Sequence, residues 1–596
     1  MPMRRGGELI ADFLVREEIP YVFGICGHGN IGLLDALLDV QSDVKLVSPR
    51  HEQTAVHMAD GYFRVAHHPA ATLTSTGPGS ANLVMGLAVA QTDSSAVLAL
   101  TANVPTSQFN RGPFQELNQH HAADFASVLR PVVKRSFQPS RVEMLPLALR
   151  QAATTMTTGR PGPVNVDIPY NLFIEEAEVV DEPAWRGFNR RRSGASEQDV
   201  AQALQWLLGA ERPVLFIGHG VALSEAEKEL TALARRLRLP VISSPNGMGC
   251  IDMNDSLSLG FIGRNGAYAA NQAGRHADLV MAIGARFDDR SACSWLPGYS
   301  WNFPHTRLIH VDIDHAEIGR NYPPDLGIAA DAKAFLTQLL ARLDAGAGRA
   351  DEPLARWWAQ ITEWRAQWDA HVAPNFEIHG SPLRPERVVA DCQAVLPDDV
   401  IISLDSGVHH NWYMQFWRAR RPRSMLNSWG YSGMGFGVSA ILGAKLAAPD
   451  RPCVSICGDG GFTMTPHVLC TAVEYDIPVV WVVWNNFAWA AIRDLQLAYF
   501  EGREYGTAFY AGAERKPYNP DFAAWARAAG AEGHTVTRSQ DFAGVLEQAV
   551  ASGRPTLIDV HVDDRIRPPG TGAWQLPPLT PKEPAYGRRW QPGDPT

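Results

Sequence analysis

Short runs of β-branched and aromatic residues, each bounded by Gly, Pro or Asp, recur along the chain at 21–26, 97–100, 214–217, 279–283, 308–311, 400–403, 454–457 and 479–484. Between them lie stretches such as 31–38 and 201–208, in which apolar residues return at helical spacing. Buried strands alternating with amphipathic helices are the pattern of parallel α/β units. Two stretches break the rhythm: 175–199, rich in charge and holding Arg190, Arg191 and Arg192, and 345–353, which reads AGAGRADEP. The pattern therefore predicts an α/β protein of three doubly wound parallel-sheet domains, 1–175, 196–345 and 375–565, followed by a tail, 566–596. Residues 158–168 (TGRPGPVNVDI) and 552–562 (SGRPTLIDVHV) echo one another near the ends of the first and third units. Each reads as a helix end, a glycine turn and a buried strand. Two edge strands alike by chance, or two units with one fold, are the alternatives.

Composition narrows the class. A chain of 596 residues, 45% hydrophobic, exceeds one core, since single cores stop growing near about 250 to 300 residues. A net charge of -10 and a pI near 6.0 lack the basic footprint of a partner for nucleic acid or anionic lipid. A small-molecule substrate is expected instead. Seven cysteines (Cys26, Cys250, Cys293, Cys392, Cys453, Cys457, Cys470) without a CxxC pair point to neither a disulfide framework nor a zinc knuckle, and fit a reducing cytoplasm. The first residues, MPMRRGGELIADFLVREE, place acidic groups inside their apolar run, and no later apolar stretch approaches the roughly 18 residues of a membrane span. A soluble, unprocessed, cytoplasmic protein is expected.

The strongest chemical signal is Gly458-Asp459-Gly460 after the apolar run 453–457, with Asn485-Asn486 closing the run 479–484. A strand-to-helix turn presents glycine amides to phosphate, while Asp459 and Asn486 offer hard oxygen ligands to Mg²⁺. A diphosphate needs that pairing; an ordinary β-turn and an unrelated turn dipeptide are the bland alternative.

This pair resembles the GDG to NN motif of thiamine diphosphate enzymes, and further segments resemble the acetolactate synthases among them. His51-Glu52-Gln53 with 57–62 (HMADGY), STGPGSAN at 75–82, Phe114-Gln115-Glu116, GARFDDR at 284–290 and VDIDHAEIGRN at 311–321 follow in the family's order from about residue 20 to 560. The resemblance implies a pyrimidine-binding domain, a central domain and a diphosphate-binding domain. It also implies a site shared between the first domain of one subunit and the third of another, hence a homodimer or homotetramer. By it, Glu52 is the carboxylate that drives removal of the cofactor's C2 proton through the aminopyrimidine, and Gln115 joins it as a catalytic residue. Met434, in SWGYSGMGFG, is the wedge beneath the two rings, and Ser432 meets the pyrimidine amine through its carbonyl. His409, Gly458, Gly460 and Gly461 face the diphosphate; Asp459, Asn486 and the carbonyl of Ala488 hold Mg²⁺. FAD is left open: Gly220, Arg286 and Asp312 fall where the family holds it, but the glycine turn reads Gly218-His219-Gly220 and a later turn Gly263-Arg264-Asn265-Gly266.

Other departures bear on substrate. Gly27-His28-Gly29-Asn30-Ile31-Gly32 is a literal GxGxxG, yet Glu52 lies beyond the next strand, against a dinucleotide reading. Where acetolactate synthases have small residues this loop carries His28, closer to carboligases and dione hydrolases that keep a histidine near the reacting carbon; a histidine bonded within a tight turn is the alternative. The run LNQHHAADFASVL adds His120 and His121, read as a solvated turn rather than active-site acids. Val408 replaces a polar residue beside His409. After Asn486 the chain reads FAWAAIRDLQL, with Trp489, Ile492 and Leu495 suited to an apolar wall. The favoured reaction is decarboxylation of a 2-oxo acid, or use of a related dicarbonyl, with carboligation to a second carbonyl. Hydrolysis of a cyclic 1,2-dione is the runner-up, and a non-catalytic binding subunit the reading of another class.

Overall fold

In the computed structural model, which describes residues 3–117, 125–179, 192–344, 351–571 and 590–593, the apolar runs form the strands of three six-stranded sheets, parallel throughout. Neighbours in the first are Lys45–Val47, Tyr21–Gly24, Ala70–Thr74, Val97–Asn103, Val164–Pro169 and Arg135–Phe137. In the third they are Met425–Asn427, Ile401–Leu404, Cys453–Gly458, Val480–Asn485, Thr556–His561 and Glu532–Val536. Numbered in chain order within each sheet, both run 2-1-3-4-6-5. Val164–Pro169 and Thr556–His561 hold the same fifth place, so the echo between 158–168 and 552–562 reflects two units of one topology. The middle sheet, Ser258–Phe261, Val241–Ser243, Pro213–Ile217, Leu279–Ile283, Arg307–Asp312 and Leu326–Ala329, runs 3-2-1-4-5-6. That order places a ligand crevice at the ends of its first and fourth strands, where the winding reverses.

The first and third units share a core. Helix Glu52–Ala66 crosses helix Phe436–Ala447, and the crossing is close because a glycine stands on each side. A Cβ on Gly61 would sit 2.1 Å from the Ala440 carbonyl oxygen, and one on Gly443 would sit 1.8 Å from that of Met58. Phe23, Val56, Met58, Phe436, Ile441, Phe462 and Trp481 pack around it. The buried guanidinium of Arg64 ties the two units further, bonding Asp60 and Asp93 of the first and the Asn427 carbonyl of the third. Removing one partner of such a buried cluster strands a charge, at a cost of about 3 to 5 kcal/mol.

The described parts of the breaks between units make defined contacts. Glu176–Glu178 pairs antiparallel with Met3–Arg5, and Arg192 donates to the Ser224 carbonyl; Arg190 and Arg191 lie outside the described residues. Beyond the second break, Asp351–Phe376 is a helix of 26 residues, although the sequence reading left most of it unassigned. Trp357, Trp364 and Trp368 recur on it at helical spacing, and Trp590 of the tail packs on Trp368, His371 and Tyr268. Among the described residues no helix is long and apolar enough to cross a membrane.

Candidate active site

The site expected to face a diphosphate grows from strand order. Cys453–Gly458 and Val480–Asn485 are adjacent parallel strands with Gly458 opposite Trp484, so the turns that follow them meet at one sheet edge. There the Asp459 carboxylate accepts from the Gly460 amide (2.8 Å) and from the side-chain amide of Asn519 (2.8 Å). Burial pushes the Asp459 carboxyl up to about 6, against hydrogen bonds from Asn519 and from the Gly460, Phe487 and Asn486 backbones that favour the anion. A cation beside it would offset that desolvation. Asn486 Oδ1 is buried without a hydrogen-bond partner, and Ala488 is buried next to it. One carboxylate, one orphaned amide oxygen and a backbone carbonyl form a hard-oxygen donor set that fits Mg²⁺. Phe487, between the last two, has φ 57°, a left-handed backbone that costs energy and turns the chain sharply between the two ligands.

The glycines of this turn make room for side chains as well as for a ligand. A Cβ on Gly460 would meet the Trp489 ring at 2.1 Å, and one on Gly461 would meet Asp405 Oδ2 at 2.1 Å. Asp405 is fully buried; burial raises its carboxyl to about 7, and its Oδ2 has no hydrogen-bond partner. His409 is also fully buried, which lowers its imidazole to about 4. Its Nε2 lies 2.9 Å from the Asp405 carbonyl, an acceptor only, so the neutral ring spends its N–H there. A phosphate contact from His409 requires the ring to turn over or to take a second proton. In the neighbouring loop Ser432 has φ 57° and its hydroxyl meets that of Ser406 at 2.7 Å, while the Met434 carbonyl accepts from Gln53 (3.5 Å).

Glu52, the expected proton relay, lies on the first unit. His51 caps helix Glu52–Ala66 by accepting from the Gln53 amide, which sets Glu52 in the first turn. The side chain of Asn82 donates to Glu52 Oε2 (2.8 Å), and Oε1 lies 3.2 Å from a Cβ built on Gly79. Both partners come from the STGPGSAN turn. The same turn holds Gln115: Thr76 donates to its side-chain oxygen, and its carbonyl is 2.1 Å from a Cβ built on Gly77. Gln115 has φ 65°.

The His28 loop joins this cluster. Cβ atoms on Gly27 and Gly29 would meet Ser75 Oγ at 2.4 Å and Thr76 Cγ2 at 2.8 Å, so the glycines let one turn approach another. Asn30 shapes the loop, accepting from the Gly27 amide and donating to the Ile25 carbonyl. His28 itself is exposed, between the rings of Phe114 (5.9 Å) and Tyr170 (6.0 Å). His120 and His121 lie outside the described residues. The apolar wall expected after Asn486 is only partly present. Trp489 packs on Gly460 and edge-on against Phe509 (5.1 Å), but Ile492 is 54% exposed. Helix Ala490–Tyr499 instead turns its charged side inward, where Asp494 is buried against Arg567 and Arg493 pairs with Glu504 and Asp564.

In the middle unit a cavity of about 900 Å³ opens at the switch point, lined by Gly220, Arg286 and Asp312 together with His219, Arg160 and Trp429. Gly220 and Gly284, at the ends of the two diverging strands, touch: a Cβ on Gly220 would sit 2.6 Å from Gly284 Cα. His219, at the centre of the Gly218-His219-Gly220 turn, spends Nδ1 on the Asp93 carbonyl (3.1 Å). Size, a glycine turn at the switch point and cationic side chains suit a dinucleotide. Asn519, Asn82 and Asp405 were not singled out by sequence reasoning; Asn82 stood inside a quoted motif, whereas Asn519 is 60 residues from the carboxylate it meets and had no local signal.

Models of thiamine pyrophosphate enzymes match residues 4–122 (N-terminal TPP binding domain), 200–339 (central domain) and 405–560 (C-terminal TPP binding domain). A protein of Methanocaldococcus jannaschii named probable acetolactate synthase large subunit is 35% identical over 573 residues, covering 94% of this chain and 92% of that one. The acetolactate synthase large subunit of Haemophilus influenzae is 33% identical over 564 residues, 94% of each chain. Acetolactate synthase isozyme 3 large subunit of Escherichia coli is 32% identical over 573 residues, 94% of this chain and 96% of that one.

Proposed function

The chain belongs to the thiamine pyrophosphate enzyme family, and from that premise we propose that it decarboxylates a 2-oxo acid and joins the remaining fragment to a second carbonyl, as an acetolactate synthase does. The observation that carries this reading is the joint presence, in one chain related over nearly its full length to acetolactate synthase large subunits, of a helix-start carboxylate at Glu52 and a buried oxygen-donor turn at Asp459 and Asn486. Thiamine diphosphate, when bound, supplies a carbon nucleophile that adds to the 2-oxo group and accepts the electrons left when CO₂ departs. Asp459, Asn486 and the Ala488 carbonyl would hold Mg²⁺ against its diphosphate. Glu52 keeps Oε2 on Asn82 and leaves Oε1 free to pass a proton to and from the pyrimidine side. Met434 and Ser432 would shape the cofactor's bend from a loop whose left-handed Ser432 is held by the Ser406 hydroxyl. Phe114 and Tyr170 set two aromatic rings beside His28, on a surface that the single chain leaves open.

The two halves stand as a pair across subunits. Around them the single chain leaves apolar side chains uncovered, among them Phe114 at 76% exposed, Met85, Tyr431 and Met464, a surface suited to a homodimer or larger assembly. We assign the middle cavity to FAD. The protein purified without added flavin is expected to show visible flavin absorption, and Asp312→Ala to lose it; a colourless, flavin-free wild type that gains no absorption on incubation with FAD would contradict the assignment.

A substrate panel tests the reaction. Pyruvate and other 2-oxo acids are expected to be consumed with release of CO₂ and formation of 2-hydroxyketones, by the wild type and by His28→Ala, with cyclic 1,2-diones left intact. Dione cleavage that collapses in His28→Ala, with no 2-oxo acid consumed, would overturn the reading.

A further inference from the structure

Two of the three proposed metal ligands, Asp459 and Ala488, and the neighbour of the third, Asn485, are touched by one short stretch of chain, 507–519, that none of the motifs includes. Trp489 donates its amide to the Thr507 carbonyl (2.7 Å) and Phe509 donates to that of Phe487 (2.7 Å), so residues 487–489, with Ala488 at their centre, form an antiparallel bridge to Ala508. Ten residues on, after the small hairpin of Tyr510–Ala511 and Lys516–Pro517, the chain returns at Asn519. Its side-chain nitrogen donates both hydrogens inward, one to Asp459 Oδ2 (2.8 Å) and one to Asn485 Oδ1 (2.7 Å). Asn485 passes the constraint on, donating to Asp559 Oδ1 (3.0 Å).

We infer that Asn519 is a positioning residue for the metal site, its one amide fixing the Asp459 carboxylate relative to the strand end that carries Asn486. An ionised carboxylate has about four lone-pair directions. The Gly460 amide holds one oxygen and Asn519 the other, which sets the plane of the group beside the turn that carries Asn486. Asn485 bonds through both ends of its side chain, to Asn519 and Asp559, and so cannot swing into the position of Asn486. Asn486 Oδ1 is left buried and unpartnered beside it. Partners of this kind, one step removed from the metal, orient its ligands and are typically worth 10–100-fold in affinity.

The inference rests on the metal-site reading above, and its test separates the two. Mg²⁺ is titrated into the chelator-treated full chain at fixed thiamine diphosphate, followed by tryptophan fluorescence, because Trp489 lies on Gly460. Asn519→Leu keeps the volume and removes both donors. It is expected to raise the half-saturating Mg²⁺ concentration by about 10- to 100-fold, with binding still saturable and the melting temperature of the metal-free protein unchanged. If the Leu variant does not fold, Asn519→Ser serves. An unchanged half-saturation, or a shift matched by loss of metal-free stability, overturns the role. Should Asp459→Ala respond to Mg²⁺ as the wild type does, the metal-site reading itself fails; should Asp459→Ala lose the response while Asn519→Leu keeps it, only the role of Asn519 fails.

Discussion

Asp459→Ala is expected to bring thiamine diphosphate binding below detection by calorimetry, a loss of more than about 100-fold, since even partners one step from a metal are worth 10–100-fold. The carboxylate is the one anionic oxygen in the donor set, and without it Mg²⁺ keeps an amide oxygen and a carbonyl against a diphosphate that carries most of the negative charge. The fold should survive. Asp459 is buried and its carboxyl pushed up by desolvation, so the alanine removes a costly group while stranding the donors that faced it, Asn519 and Gly460 among them. Thiamine diphosphate affinity equal to that of the wild type, in a variant that melts at the wild-type temperature, would refute the assignment.

Glu52→Gln has the second large effect, on rate and not on binding. The glutamine amide oxygen still accepts from Asn82, and the helix start set by His51 is unchanged, so cofactor affinity should hold. The proton carried by Oε1 is lost. Hydrogen-deuterium exchange at C2 of the bound cofactor is expected to slow by about 10² to 10⁴, the worth of a positioned acid-base group. Wild-type exchange in this variant would remove Glu52 from its role.

What could be read in the sequence follows from what each feature depends on. The turn at Gly458 and the strand before it depend on local pattern, so a run of apolar residues closed by glycine located both. The shared topology of the first and third units left a trace in 158–168 and 552–562, because both segments become the fifth strand of their sheets. The middle cavity was legible in part through GARFDDR and the DID segment, whose Arg286 and Asp312 line one space. Contacts between distant segments were not. Asn519 reaches Asp459 only because a hairpin folds back over the metal turn, and nothing in the composition of 507–519 marks that path. Which side of helix Ala490–Tyr499 turns inward was not legible either: ion pairs of Arg493 and Asp494 hold its buried side, and Ile492 is exposed on the single chain. His409, expected in a loop, stands in the first turn of helix Val408–Phe416, and its hydrogen bond to Asp405 could not be foreseen from spacing.

The fate of a carboxyl label tests the central claim most directly. Supplied with pyruvate labelled at its carboxylate, thiamine diphosphate and Mg²⁺, the enzyme should release half the label as CO₂ and retain half in the carboxylate of a single 2-hydroxy-3-oxo acid, because one molecule is decarboxylated for each that serves as acceptor. Release of all the label with an aldehyde as the other product, or no release at all from pyruvate or any other 2-oxo acid, would contradict it.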